Sequence, residues 1–560
     1  MATQRALETP GIVSNILHQL SEMKYRIKRQ YSPEDIVEFV EFRPTLVPSV
    51  LVNRLWADEG TCVLWGNYPH IPALASMEPE RRQYYANKVC KIFIISPPTE
   101  STISLECLTD LKWPLLRSLE MEVDFARHGD QIRSMLHSKL QYLEVAGYIS
   151  EGQGYFKQFL LPTIFGLCEN LKSIRFGPGE VGVPEDLLHS SFLQVHLELT
   201  PSLTNIEIKS NRFIGKDPLF CYFGQRPGLE GLEMDLEPGV DLVPTIQGAT
   251  VPLFQNLKRL ALMSYPEVAH ALIKHLGTVD HLQLDICRIS EQPVCDTDIA
   301  LINTILSHLS HCPRLRHLRL GFAGLAEDCP SEANRLTLSG ASLISLASSC
   351  PKLTYLNIFS QPSAIDASSI SSRDFDSFCA KLPDLEYLSL KLHPPTASTL
   401  SATALKSLST HCSSLSILRL KVVFDLSVLS IPTTAKPNVL FPCLEELGFA
   451  RPDVGTDFED AVVHAWGAVL ETQFPRLEVL EAWSDWTGEE NESLSYVEPL
   501  ENSLGSVWEF LSGVEQNLWE EEDGDEEWQY EDGILDGIEE GEVEEWEEKV
   551  MNGNKRRVSI

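Results

Sequence analysis

The residues of this 560-residue chain best suited to metal or covalent chemistry are its fifteen histidines and thirteen cysteines. Three of the histidines, His308, His311 and His317, stand close together, and a metal would need such donors to converge on one point. Their spacing is instead that of a helix end, the turn after it and the start of a strand, so no metal site is expected. Cys312, Cys350 and Cys412 could act as nucleophiles, yet each occupies the same place in a recurring phrase. That placement favours packing as small buried hydrophobes over reactivity. The cysteines are odd in number and contain no C-x-x-C pair, which argues against zinc and against a disulfide framework. The chain has no P-loop, no G-x-G-x-x-G after a strand, no H-E-x-x-H and no G-x-S-x-G. It reads as a protein that is not an enzyme and needs no cofactor.

The phrase that holds those cysteines organises the chain. HCPRLRHLRL (311–320) is repeated as SCPKLTYLNI (349–358), KLPDLEYLSL (381–390) and HCSSLSILRL (411–420). In the form L-x-x-L-x-L, with other apolar residues allowed, it begins at Leu116, Leu140, Leu171, Leu203, Leu229, Leu257, Val279, Leu315, Leu353, Leu385, Leu415, Leu444 and Leu477. A degenerate copy, VCKIFI, begins at Val89. Successive copies start 22 to 38 residues apart, looser than the 20–29 of regular leucine-rich repeats. Each phrase alternates apolar and polar at period two and predicts a short strand. Between phrases the period becomes helical: Ile299, Ile302, Ile305, Leu306 and Leu309 share one face, as do Phe375, Phe378 and Leu382. One strand-turn-helix unit cannot cover its own apolar side, so the units must stack into a parallel sheet lined by helices.

The C-P-x-L-x-x-L-x-L lead resembles the cysteine-containing leucine-rich repeats of F-box proteins. Upstream, residues 45–65 (TLVPSVLVNRLWADEGTCVLW) are similar to the second half of an F-box, a divergent one of fungal type. Val52, Arg54, Trp56, Leu64 and Trp65 match that motif, and Asn53 stands where the family usually has Cys. Pro10, Ile12, Ile16, Leu17 and Leu20 resemble its opening, without its acidic residue and with a connection about a dozen residues longer. From the residues alone, Ile12, Ile16 and Leu20 fall on one helical face of a small helical module. The resemblance implies that these ten residues bind the Skp-type adaptor of a cullin ubiquitin ligase. The protein would then be the substrate-recognition subunit of an SCF-type ligase. The alternative is a non-catalytic interaction scaffold whose N-terminus only caps the open end of the repeats. Leucine-rich repeats with an acidic tail also outline Ran GTPase-activating proteins, but their regular repeats, with Asn after the phrase, are not matched here.

The fold expected is an α/β leucine-rich-repeat solenoid, a horseshoe, with an F-box-like helical module (8–68), a linker (69–88), about 13–14 irregular repeats (89–485) and a C-terminal cap (486–519). Residues flanking the inward leucines point to the concave surface that solenoids use for binding. In early repeats these are acidic: Glu120, Glu122, Glu144, Glu207, Glu233 and Asp235. Later ones are basic and aromatic, and Arg319, Tyr355, Phe359, Tyr387, Lys391, Arg419 and Lys421 form a candidate docking site for an acidic or phosphorylated client protein.

The net charge of −35 is uneven: 17 acidic residues and no basic one lie between Glu520 and Glu548. The segment 520–560 reads as a disordered acidic tail, and its KRRVSI end matches a basophilic kinase pattern at Ser559. An acidic chain is unsuited to a nucleic-acid backbone. Apolar runs are too short for a membrane span, and the opening lacks a secretory pattern. A cytoplasmic or nuclear protein is expected.

Overall fold

The computed structural model describes residues 7–22, 46–95, 105–146, 156–177, 187–210, 213–236, 242–288, 296–323, 335–361, 364–424, 426, 439–450 and, with gaps, 466–483. The chain divides into two units, Met1–Leu511 and Ser512–Ile560, and every described residue belongs to the first. The expected cap at 486–519 and the tail at 520–560 lie outside the described residues.

Fourteen strands form one parallel sheet in strict chain order, with helices between them. They are β1 (Lys91–Ile95), β2 (Ser118–Glu122), β3 (Tyr142–Ala146), β4 (Ser173–Phe176), β5 (Asn205–Ile208), β6 (Gly231–Asp235) and β7 (Arg259–Ser264). There follow β8 (His281–Cys287), β9 (His317–Ala323), β10 (Tyr355–Ser360), β11 (Tyr387–Leu390), β12 (Ile417–Leu420), β13 (Glu446–Ala450) and β14 (Val479–Trp483). Each begins two residues into one phrase of the sequence, and the degenerate copy at Val89 supplies β1. The register never slips. Leu282, Leu318, Leu356, Leu388 and Leu418 stand side by side on β8 to β12, each fully buried. A second inward row, Leu284, Leu320, Ile358, Leu390 and Leu420, runs beside it. Burying a side chain of this size is worth about 1.5–3 kcal/mol, and each inward residue of the two rows adds on that scale to what holds one repeat to the next.

At every junction from β1 to β13 the two residues entering a strand direct their N–H groups to one carbonyl of the preceding repeat. Arg316 and His317 both donate to Asp280 O, at 2.8 and 3.0 Å, and Thr354 and Tyr355 to Arg316 O at the same distances. The cysteines of the phrase behave as packing groups. Cys312, Cys350 and Cys412 are buried, and the Cys350 thiol donates to Cys312 O at 3.4 Å. Burial pushes the thiols of Cys312 and Cys350 up to about 12. Cys168 fills the same place before Leu171 and is raised alike, to about 12.

Helices α1 (Pro10–Glu22), α2 (Val47–Val50) and α3 (Arg54–Gly66) form the N-terminal module. Residues 69–88, expected as a linker, instead fold as α4 (Ile71–Ala75) and α5 (Pro79–Ala86). Leu74 and Ala86 are buried in the main core, so these helices continue the array and do not merely tether it. No helix of the described residues is long and apolar enough to cross a membrane.

Candidate docking surfaces

The module has a core of its own, separate from that of the repeats. Val13, Leu17 and Leu46 are buried there, with Leu20, Leu55, Trp56, Val63 and Leu64 packed around them. The closest approach is at Gly60, where an added Cβ would lie 2.7 Å from Val50 Cγ2. Asn53, the departure from the F-box pattern, caps α3: its Oδ1 accepts from Trp56 N at 3.0 Å, which compensates an otherwise unpaired first-turn N–H. Trp56 Nε1 in turn donates to Leu7 O at 3.2 Å.

The ten residues expected to bind an adaptor therefore separate into two sets. Leu17 is fully buried, and Ile16, Leu20, Trp56 and Leu64 are half-buried, all but Ile16 within the module's core. Trp65 turns towards the repeats and stacks on Tyr85, with ring centroids 4.4 Å apart. Only Pro10, Ile12, Val52 and Arg54 are exposed. Of the helical face expected from Ile12, Ile16 and Leu20, only Leu20 packs into the core: Val13 and Leu17 take the inner positions before it, and Ile12 is left 42% exposed. Leu51, 79% exposed, joins Ile12 and Val52, 59% exposed, as apolar surface of the module.

On the outward face of the sheet the register builds a ladder of rings. His281, His317, Tyr355 and Tyr387 occupy the same position on β8 to β11. Successive centroids are 5.4, 3.7 and 4.0 Å apart, all stacked. Burial, reinforced by His281 and Arg319, lowers His317 to about 4, so its ring is neutral at physiological pH. Burial likewise raises the Tyr355 phenol, with Tyr387 adding to the effect. Stacked in this way, the ring faces cover one another.

The expected basic patch beside this ladder is not basic in effect. Arg319 Nη1 contacts both carboxylate oxygens of Asp285, at 3.1 and 3.0 Å, and its guanidinium lies 4.9 Å from the Phe359 ring centroid. Gly321 makes room for this, since a Cβ there would meet Asp285 Oδ1 at 2.5 Å and Phe359 Cζ at 2.7 Å. Arg419 Nη2 pairs with Glu446 Oε2 at 3.0 Å. Lys391 and Lys421, expected on the docking face, are buried at 4% and 0% exposure. They follow the last residues of β11 and β12, Leu390 and Leu420, so strand alternation no longer sets their direction. The surface that remains is a rigid aromatic strip with neutralised arginines.

Towards the N-terminal strands the face is acidic, as expected. Arg175 Nε lies between Glu144 and Glu207 at 3.5 and 3.3 Å, and Lys209 Nζ meets Glu233 at 2.7 Å. Tyr68 and Tyr142 hydroxyls donate to Glu120 and Glu144 at 2.7 and 2.9 Å. Burial raises the carboxyls of Glu207 and Asp235, with Glu233 adding to the effect. Among the described residues no group of three or more His, Cys, Asp or Glu could hold a metal ion.

No family model matches the chain, and no curated protein matches it. Among solved structures it is similar to that of a Rad7 and Elc1 complex in yeast. There the identity is 16%, with 80% of this chain and 94% of that chain covered at a TM-score of 0.40. It is also similar to the leucine-rich repeat-containing protein LegL7 from Legionella pneumophila, at 13% identity, 66% and 98% coverage and a TM-score of 0.28. At these scores neither likeness bears on activity or partners.

Proposed function

We propose that this protein is the substrate-recognition subunit of an SCF-type cullin ubiquitin ligase, built on a curved leucine-rich-repeat solenoid, and that it catalyses nothing itself. The observation that carries the reading is the N-terminal module. It closes its own core around Val13, Leu17 and Leu46, yet leaves Ile12, Leu51 and Val52 in solvent. Exposed apolar residues on a small module suit a protein partner, and the F-box resemblance of residues 45–65 names that partner as a Skp-type adaptor. The outward face of the sheet would hold the client, with the ladder from His281 to Tyr387 as its rigid centre. Aromatic groups already locked in place lose little entropy on binding and favour interface centres. The protein would work in the cytoplasm, the nucleus or both.

A second reading is a scaffold whose N-terminal module is only a cap. It is favoured by the ties of α3 to the repeats: the Trp65–Tyr85 stack, Lys88 Nζ on Thr61 Oγ1 at 2.6 Å and the Tyr84 hydroxyl on Asp58 at 3.0 Å. Co-purification with a Skp-type adaptor separates the two. Val52→Asp and Leu51→Asp alter exposed positions and leave the module's core intact, unlike Trp56→Ala, which would remove a packed ring. A stoichiometric complex lost in both exposed variants establishes the ligase reading. No complex with the intact, folded chain leaves the cap.

A further inference from the structure

Between the module and the repeats, the chain makes one turn against its own backbone preference. Tyr68 has a φ of +53°, in the left-handed region, where a residue carrying a Cβ is disfavoured. It also precedes Pro69, whose ring drives the residue before it towards extended conformations. Strain of this kind persists only where the surrounding contacts outweigh it.

At Tyr68 those contacts face the sheet. After α3, the strip Gly66–Tyr68 lies along the outer edge of β1. Asn67 pairs with Lys91 in the parallel sense, Cys90 N donates to Gly66 O at 2.7 Å, and Tyr68 N donates to Lys91 O at 2.9 Å. The Tyr68 hydroxyl then reaches past β1 to donate to Glu120 Oε1 on β2 at 2.7 Å. A hydroxyl bound to a carboxylate is a charge-assisted bond, the stronger kind. Glu120 is itself fixed by the register of β2, which sets it beside Phe93 of β1. On the far side of the turn α4 follows, and its Leu74 is buried in the main core. The turn is thus anchored on the repeats, and its other end carries the module. The contacts of Trp65, Thr61 and Asp58 hold α3 to Tyr85, Lys88 and Tyr84; the Tyr68 bond holds the exit strip to the sheet.

We propose that Tyr68 is a latch. Its hydroxyl, closed on Glu120, holds a disfavoured turn in place and keeps the strip Gly66–Tyr68 seated on β1. Opening the latch lets Tyr68 relax to an extended backbone and frees the strip. The latch sets the direction in which the module leaves the repeats. That direction matters to function only under the reading in which the module and the outward face hold different partners, whereas the latch is a property of the chain alone.

The test is hydrogen–deuterium exchange of the full chain by itself, read by mass spectrometry in peptides that contain the Tyr68 and Cys90 amides. Tyr68→Phe removes the hydroxyl and keeps the ring. It should speed exchange there by about tenfold or more, the effect of losing a hydrogen bond to a charged group, and leave β8 to β11 as protected as in the parent. Glu120→Ala should do the same. The double variant should exchange no faster than either single one, because both substitutions remove one and the same interaction. Unchanged exchange in Tyr68→Phe overturns the proposal. So do effects that multiply in the double variant, since two independent losses of packing would then account for them. Neither adaptor nor client is present, so failure of the ligase reading produces neither result.

Discussion

Arg319 and Asp285 stand on adjacent strands, 34 positions apart in sequence, and face each other across the sheet with both carboxylate oxygens about one hydrogen bond from the guanidinium. The pair is partly solvated, so its worth to stability is up to about 1 kcal/mol. Asp285→Asn should therefore shift the urea midpoint little. Its larger effect is on binding, because it leaves Arg319 charged and unopposed over Phe359. Affinity for a phosphorylated peptide, measured by fluorescence anisotropy, should rise in Asp285→Asn relative to the parent.

Gly321 lies where Asp285 and Phe359 approach most closely. Gly321→Ala must displace a carboxylate, a ring or both, and overpacking of this kind costs about 1–3 kcal/mol. Chemical denaturation should show that loss. A variant as stable as the parent would mean that the ring and carboxylate move aside without cost.

The neutral His317 ring makes the ladder sensitive to acid. Its folded value of about 4 lies below the ordinary histidine value of about 6.5, so protons bind the unfolded chain more readily. The ring's contribution is present above about pH 6.5 and is lost as pH falls towards 4, by at most about 3 kcal/mol. His317→Phe keeps the stack and removes the proton site. Its stability should fall less steeply than the parent's over that window, measured by urea denaturation at each pH.

Thiols raised to about 12 act in the opposite direction. Cys168, Cys312 and Cys350 hold their protons in the fold, whereas unfolded thiols lose them near pH 8.5–9. Their contribution is complete below pH 9 and is lost as pH rises towards 12. In the native protein at pH 8 a thiol reagent should label exposed Cys62 and leave these three untouched until the chain is unfolded. Mass spectrometry of the labelled peptides reads this directly.

The strands were legible because each phrase states its period twice, once in the leucines and once in the polar residues between them. All fourteen copies became strands, Val89's degenerate one included. Three features were not legible, each for a local reason. Alternation was carried past Leu390 and Leu420 to Lys391 and Lys421, beyond the point where the strands end. In α1 the apolar residues Ile12, Val13, Ile16 and Leu17 offer two adjacent faces, and only packing against Leu46 decides between them. The ion pairs of Arg319 and of Arg419 depend on which side chains flank each of them on a neighbouring strand, Asp285 on the one before and Glu446 on the one after, and that follows from register.

The paired N–H groups that meet one carbonyl at each strand entrance have a consequence for how such a chain can change. The contact fixes where a strand begins and is indifferent to how many residues intervened since the last one. Copies 22 and 38 residues apart therefore join the sheet in the same register. Insertions and deletions in the returning segments can accumulate without moving a single inward leucine. The scaffold tolerates editing of its outer loops while its surface of outward side chains keeps a constant pitch.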